Sequence, residues 1–244
     1  DKCWDMTEDD TILRLTTAQL IPNSSFTYSV WLYVTNTSQE QGFLKHGTGS
    51  IYASWISYNG SITGGELAFY VRNGSGTSST KTNNSCFTAN KWNLATFTFT
   101  TSAIKIYVNG TLNYDSSWGN QTGATGVNTL TDWVILCASA TGTAEAFDGY
   151  AMDAAIWNEE LSSTQVESLW NSYNNVTNVG GALATTILPN SLVAYWSGTG
   201  GDLSTIPNEA TGTDTLGTNA NWTTVTDISE GGTSPASWTE KGTA

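Results

Sequence analysis

Apolar and polar residues alternate with a period of two along most of this chain, and helical periodicity is confined to one short stretch. Between residues 26 and 34, Phe26, Tyr28, Val30, Leu32 and Val34 share one face, while Thr27, Ser29, Trp31 and Tyr33 share the other. Ala95, Phe97 and Phe99 likewise oppose Thr96, Thr98 and Thr100, and Ile104, Ile106 and Val108 oppose Lys105 and Tyr107. These patterns predict half-buried antiparallel strands. Further strands are expected at 11–16, 51–57, 66–72, 133–138, 150–157 and 192–196. Asn109 and Gly110 tolerate the positive φ of a type I′ turn, so strand 104–108 should turn directly into 111–115.

The exception to alternation is a stripe of Leu161, Val166, Leu169 and Trp170 at helical spacing. Ser162 and Gln165 supply a capping box, which predicts a short helix lying as a lid on a sheet edge. Residues 174–186 read as a loop before strand 192–196, and residues 229–244 lack alternation and read as a loose tail. The expected fold is all-β: a two-sheet antiparallel jelly-roll sandwich with one short helix. Residues 1–228 would form the domain, with 174–228 as a flap completing it and 229–244 as a flexible tail or linker.

Composition narrows the function classes. With 244 residues, 39% hydrophobic content, 11 Trp, 10 Tyr and 7 Phe, one large domain can bury a core without covalent staples. Charged residues are only 12%, against roughly 25% in an ordinary soluble domain, so surface polarity must come from Ser, Thr, Asn and Gly. That surface suits an extracellular, cell-surface or virion protein. The net charge of −13 opposes binding to nucleic acid or anionic lipid and favours divalent cations or neutral glycans, unless acidity serves solubility alone. No stretch approaches the roughly 20 apolar residues of a membrane span, so no membrane insertion is expected. The chain opens on Asp1 rather than Met, which leaves room for a removed signal or upstream segment. Cys3, Cys86 and Cys137 allow one bridge and a free thiol, or three thiols, and their spacing matches no zinc motif.

Several segments together resemble one family. These are TILRL (residues 11–15), FTYSVWLYV (26–34), KWNLATFTF (91–99), the IKIYVNG hairpin (104–110) and DGYAMDAAIWNEELSSTQVESLW (148–170). In order and spacing they resemble the laminin-G-like, concanavalin A-like lectin and glucanase jelly roll, a fold used mostly to hold sugars. LVAYWSGTGGDLSTIPNEATG (192–212) resembles a segment that often precedes the first strand of that family, and here it follows the helix. This permuted layout is similar to modules in phage and marine-virus structural proteins.

The resemblance implies a structural calcium ligated by Asp153, from the final strand of related sandwiches, with Asp148 and loop oxygens near Asp9 and Asp10 as further donors. The plainer reading of Asp153 is a strand aspartate bonding nearby backbone. Sugars stack on Trp and Tyr and bond to polar side chains. Trp31, Trp92, Trp157, Trp170 and Trp196 are expected in the core, whereas Trp55, Tyr58, Tyr114, Trp118 and Trp222 fall at strand ends or in polar loops. A two-residue hairpin turn would pair Tyr107 with Leu112 and set Tyr114 opposite Lys105, with both rings on one face. The candidate ligand-binding set is therefore Trp55, Tyr58, Tyr107, Tyr114 and Trp118; such residues elsewhere often just cover a core edge.

Glycosylation sequons occur at Asn23, Asn36, Asn59, Asn73, Asn83, Asn120, Asn175 and Asn221, and at the turn residue Asn109; an Asn/Ser/Thr-rich chain also makes several by chance. Catalytic patterns are missing from the sequence: no E-x-D-x-E strand sets two carboxylates on one face, no G-x-S-x-G elbow accompanies the single His46, and no phosphate loop occurs. The expected function is a non-catalytic carbohydrate-binding or adhesion module of an extracellular or virion-surface protein, gaining avidity from several copies. Its partners would be glycans or a protein neighbour, with a homo-oligomer compatible with either. The alternatives are a structural decoration or assembly protein without a glycan site and, least favoured, a glycoside hydrolase or lyase.

Overall fold

The computed structural model describes residues 2–5, 12–16, 24–35, 40–48, 51–59, 65–73, 76–82, 88–113, 123–128, 132–137, 147–174, 184–196, 222–225 and 229–233. Strands, numbered in chain order, build two antiparallel sheets. The first is eight-stranded and runs β10 (Thr111–Asn113), β9 (Ala103–Val108), β8 (Trp92–Thr100), β3 (Ser25–Val34), β12 (Gly149–Trp157), β1 (Lys2–Asp5), β15 (Ser229–Thr233), with β13 (Leu192–Trp196) also on β12. The second is seven-stranded and runs β14 (Trp222–Val225), β2 (Ile12–Thr16), β11 (Asp132–Cys137), β4 (Glu40–Thr48), β5 (Ile51–Asn59), β6 (Glu66–Asn73), β7 (Gly76–Lys81). This is the expected jelly-roll sandwich.

Alternation places the core. Phe26, Tyr28, Val30, Leu32, Ala95, Phe97, Phe99, Ile104 and Ile106 of the first sheet meet Ile56, Leu67, Phe69 and Val71 of the second. Aromatic rings interlock across the layer, with Phe69 edge-on to Phe97 at 5.4 Å. The Asn109-Gly110 turn forms as read, with φ of 52° and 80°, and Tyr107 pairs with Leu112. At Gly110 a Cβ would lie 2.8 Å from Trp170 Cβ, so glycine here serves both the turn and the approach of the helix.

The other face of the first sheet departs from expectation. Its central strands β3, β8 and β12 are buried on both sides, not one. Trp31, Leu94, Tyr107, Met152, Ala155 and Trp157 form a second cluster with Leu161, Val166 and Leu169 of the helix region and with Ala184, Leu192 and Tyr195. The helix α1 (Ser163–Asn174) therefore lies on this outer face rather than on a sheet edge. An isolated helix of this length is marginal in water, whereas burying each large side chain contributes about 1.5–3 kcal/mol, so packing holds it in place. The capping box is present: Ser162 N donates to Gln165 Oε1 at 2.8 Å, and Gln165 N donates to Ser162 Oγ at 3.3 Å. Thr27 Oγ1 donates to Glu159 O and accepts from Leu161 N, pinning the chain just before the helix.

Some strands were not readable. Glu40–Thr48 is interrupted by glycines, and Gly76–Lys81 offers no large apolar residue. Ser229–Thr233 falls in the stretch read as tail, yet its backbone pairs with β1. Strand 111–115 is described as far as Asn113.

Candidate functional site

The bulge in β12 explains Asp153. Ala151, Ala154 and Ile156 face the inter-sheet core, while Met152, Ala155 and Trp157 face the helix. Strict alternation cannot achieve this, because 151 and 154 differ in parity. An inserted residue must reset the phase, and the pairing with β3 shifts between Met152 and Ala155. Asp153 has φ 51°, a left-handed conformation that Asp tolerates better than most residues. It is buried, and Tyr195 Oη donates to its Oδ1 at 2.7 Å.

Asp148 lies elsewhere: its Oδ1 accepts from Thr35 Oγ1 at 2.6 Å, and its N donates to Gln41 Oε1. Five strand residues separate the two carboxylates by about 16 Å, less the bulge, too far for both to ligate one ion whose oxygens sit at about 2.3–2.6 Å. Asp148 and Asp153 thus do not form the shared calcium site expected of them. Asp9 and Asp10 lie outside the described residues, and among the described residues no group of three or more His, Cys, Asp and Glu gathers as for a metal.

The aromatic candidates separate in a similar way. Tyr107 is only 2% exposed and sits under the helix, so it presents no ring to a ligand. The sheet face it shares with Trp31 and Leu94 is a covered one, which alternation alone does not reveal. Burial pushes its phenol pKa up; Lys105 opposes that shift and Glu160 adds to it. Trp31 stacks on Trp170 at 5.4 Å, and Trp157 donates from Nε1 to Ile187 O at 2.7 Å, as core residues. Tyr33 sets its ring edge-on against Trp92 and Tyr150, both at 5.8 Å, at the rim of this cluster. Tyr114 and Trp118 lie outside the described residues.

On the second sheet the register orders the rest. Residues directly opposite in paired strands share a face. Tyr58 stands opposite Leu67, a core residue, so its position belongs to the inner face. Trp55 stands opposite Tyr70, which lies between the fully buried Phe69 and Val71, so the Trp55–Tyr70 pair occupies the outer face. Tyr70 was not among the candidates: β6 alternates clearly, but only the β5–β6 register reveals its partner. On the same face, Ala68 stands opposite Ser57 and Lys81, and Asn59 opposite Glu40 and Glu66. Lys81 Nζ contacts Glu66 Oε1 at 2.9 Å. Burial depresses the Lys81 pKa, but hydrogen bonding and charge attraction from Glu66 outweigh it and leave the ammonium above its ordinary value. Exposure rises along β6 from buried Glu66 and Ala68, through half-buried Tyr70, to exposed Arg72.

Of the sequon residues, Asn73 is half-buried and donates from Nδ2 to Thr125 Oγ1 at 3.3 Å, and Asn59 ends β5. Asn109 is committed inward, accepting from Leu94 N at 2.9 Å and donating to Asn93 Oδ1. Asn23, Asn36, Asn83, Asn120, Asn175 and Asn221 lie outside the described residues.

Residues 7–167 match a family model for the concanavalin A-like lectin/glucanases superfamily. Among solved structures, the fold is similar to a heptameric SAP-like pentraxin from Limulus polyphemus, with a TM-score of 0.60 and 13% identity over 94% of this chain and 93% of that one. It is also similar to a candidate carbohydrate-binding protein from Bacteroides ovatus ATCC 8483, with a TM-score of 0.58 and 15% identity. That alignment covers 91% of this chain and 59% of the other, so this chain spans just over half of that protein's length. At such identities these likenesses speak to fold alone. A sequence search of curated proteins gives no match.

Proposed function

This chain belongs to the concanavalin A-like lectin/glucanases superfamily, and from that premise we propose that it is a non-catalytic carbohydrate-binding module working at an extracellular or virion surface. The observation that carries the proposal is the cross-strand Trp55–Tyr70 pair on the outer face of the second sheet, beside the small positions Ser57 and Ala68. Two neighbouring aromatic positions, with Ser57 two residues from Trp55 and exposed Arg72 two residues beyond Tyr70 on the same face, supply the stacking surface and polar groups that sugar recognition needs. Such a site is shallow, so single contacts are weak and several copies supply avidity.

A glycan array probed with this chain, with and without calcium and beside Tyr70→Ala, tests the reading. Binding that Tyr70→Ala weakens about tenfold or less supports it, since one aromatic contact contributes about 0.5–1.5 kcal/mol. No binding to any glycan, combined with a symmetric oligomer in solution, would replace it with an assembly role. EDTA in the same series tests the expectation of a structural calcium: a lowered melting temperature would support a bound ion, and no change would remove it.

A further inference from the structure

An asparagine followed by glycine is prone to deamidation, because glycine has no Cβ to crowd its own nitrogen. That nitrogen attacks the asparagine Cγ, the Cγ–Nδ2 bond breaks and ammonia leaves. Water then opens the cyclic imide at either carbonyl, giving aspartate or isoaspartate. The chain contains three such steps, Asn59-Gly60, Asn73-Gly74 and Asn109-Gly110. At the third, the fold shows what holds the reacting group. Both ends of the Asn109 amide are engaged with β8: Oδ1 accepts from Leu94 N at 2.9 Å, and Nδ2 donates to Asn93 Oδ1 at 3.3 Å. Its backbone N donates to Leu94 O at 2.8 Å. Ring closure would pull Cγ onto the Gly110 nitrogen of its own turn, so the side chain must first give up its bonds to β8.

The neighbouring amide shows why the product would not fit. Asn93 is only 1% exposed and its Nδ2 donates to Thr88 O at 2.8 Å and to Lys91 O at 2.9 Å, which uses both of its hydrogens. Its Oδ1 accepts from Thr88 N at 3.4 Å and from Asn109. In a deamidated chain a carboxylate oxygen replaces Asn109 Nδ2 and faces Asn93 Oδ1, acceptor against acceptor. Reversing the Asn93 amide would strip Thr88 O and Lys91 O of their donor. An Asp-Gly pair serves a type I′ turn as well as Asn-Gly does, so the turn alone does not call for an amide at 109. The contact with Asn93 does.

We propose that Asn109 is a latent deamidation site, closed in the folded chain by its own side-chain bonds, whose conversion to aspartate or isoaspartate unfastens the β9–β10 hairpin. Isoaspartate also adds a backbone methylene to a two-residue turn whose flanks, Val108 and Thr111, are paired. Gly110 packs against Trp170, which stacks on Trp31, so loss of the turn reaches the helix as well. The modification therefore acts on the third layer over the first sheet. It goes beyond the glycan reading and does not depend on it, since none of these residues belongs to the second sheet.

The test incubates the full chain in mildly alkaline buffer, folded or unfolded in urea, and follows conversion at Asn109 by peptide mass spectrometry. In the unfolded chain Asn59, Asn73 and Asn109 should convert at similar rates. Folding should slow Asn109 about tenfold or more, the effect of two hydrogen bonds that must break first. Asn93→Ala removes the acceptor of Nδ2 and should speed conversion in the folded chain while leaving the unfolded rate unchanged. If that variant does not fold, low urea on the parent serves instead: conversion should rise in step with hydrogen exchange of the Leu94 N–H. Asn109→Asp keeps the turn chemistry, and it should lower the melting temperature and speed amide exchange in β9, β10 and α1 but not in β5 and β6. Equal folded and unfolded rates at Asn109 would overturn the proposal. So would an Asn109→Asp chain as stable and as protected as the parent.

Discussion

The two sheets present outer faces of opposite character, although the strands beneath them alternate in much the same way. On the first sheet the outer positions include Trp31, Leu94, Tyr107, Met152 and Trp157, an apolar cluster beside Ser29 and Thr96 that requires a third layer and receives α1 and residues 184–196. On the second, β6 presents Glu66, Ala68, Tyr70 and Arg72 outward, a mixed surface that ends exposed. An aromatic residue on a strand is therefore a ligand candidate only when no further layer covers its face. Tyr107 is packed in the cluster under the helix, whereas Tyr70 is half-buried beside exposed Arg72. The distinction lies in what packs over the sheet, not in the alternation of either strand.

Substitutions should separate the faces by what they change. Trp157→Ala removes a fully buried ring and its bond to Ile187 O, and should cost about 3–5 kcal/mol in urea unfolding. Its loss of binding should only follow its loss of folded protein; a fully folded Trp157→Ala that fails to bind glycan would move the site to the first sheet. Asp153→Ala strains a left-handed position and strips Tyr195 Oη of its acceptor, for about 2–3 kcal/mol. Asp153→Asn keeps the conformation and an acceptor oxygen, so its midpoint should stay close to that of the parent. Equal losses in both would point to a need for the charge. Ser162→Ala breaks the capping box and should cost about 1 kcal/mol, read as a lower melting temperature with glycan affinity retained.

The smallest expected effect is alkaline. Lys105 is held above its ordinary pKa of 10.5, chiefly by its hydrogen bond to Glu160, and burial only partly offsets this. A group raised on folding contributes stability that is fully present below its unfolded pKa and lost as pH rises through the folded value. Tyr107, raised above 10.0 by burial, acts in the same direction. Unfolding midpoints should therefore fall as pH rises above about 10, and Glu160→Gln should flatten that fall. A profile that rises over this range would contradict the assigned contacts.

Local chemistry made part of this molecule legible in its sequence. Asn109-Gly110 dictates its turn, Ser162 and Gln165 dictate a helix start, and the alternation of Phe26 to Val34 dictates a core strand. What escaped reading depends on relations between segments. The bulge at Asp153 shows only as a clash of parity between Ala151 and Ala154. Gly76–Lys81 has nothing apolar to announce it and exists because β6 offers it an edge. The pairing of Trp55 with Tyr70 needs the β5–β6 register, and the burial of Tyr107 needs the helix that covers it.

The most direct test of the central claim is to follow backbone amide chemical shifts of isotopically labelled protein during titration with the glycan it binds best. The account expects shifts to concentrate at Trp55, Ser57, Ala68 and Tyr70 on the outer face of the second sheet. Shifts concentrated instead around Tyr33, Trp92, Tyr150 and Trp170, at the rim of the covered face, would contradict it.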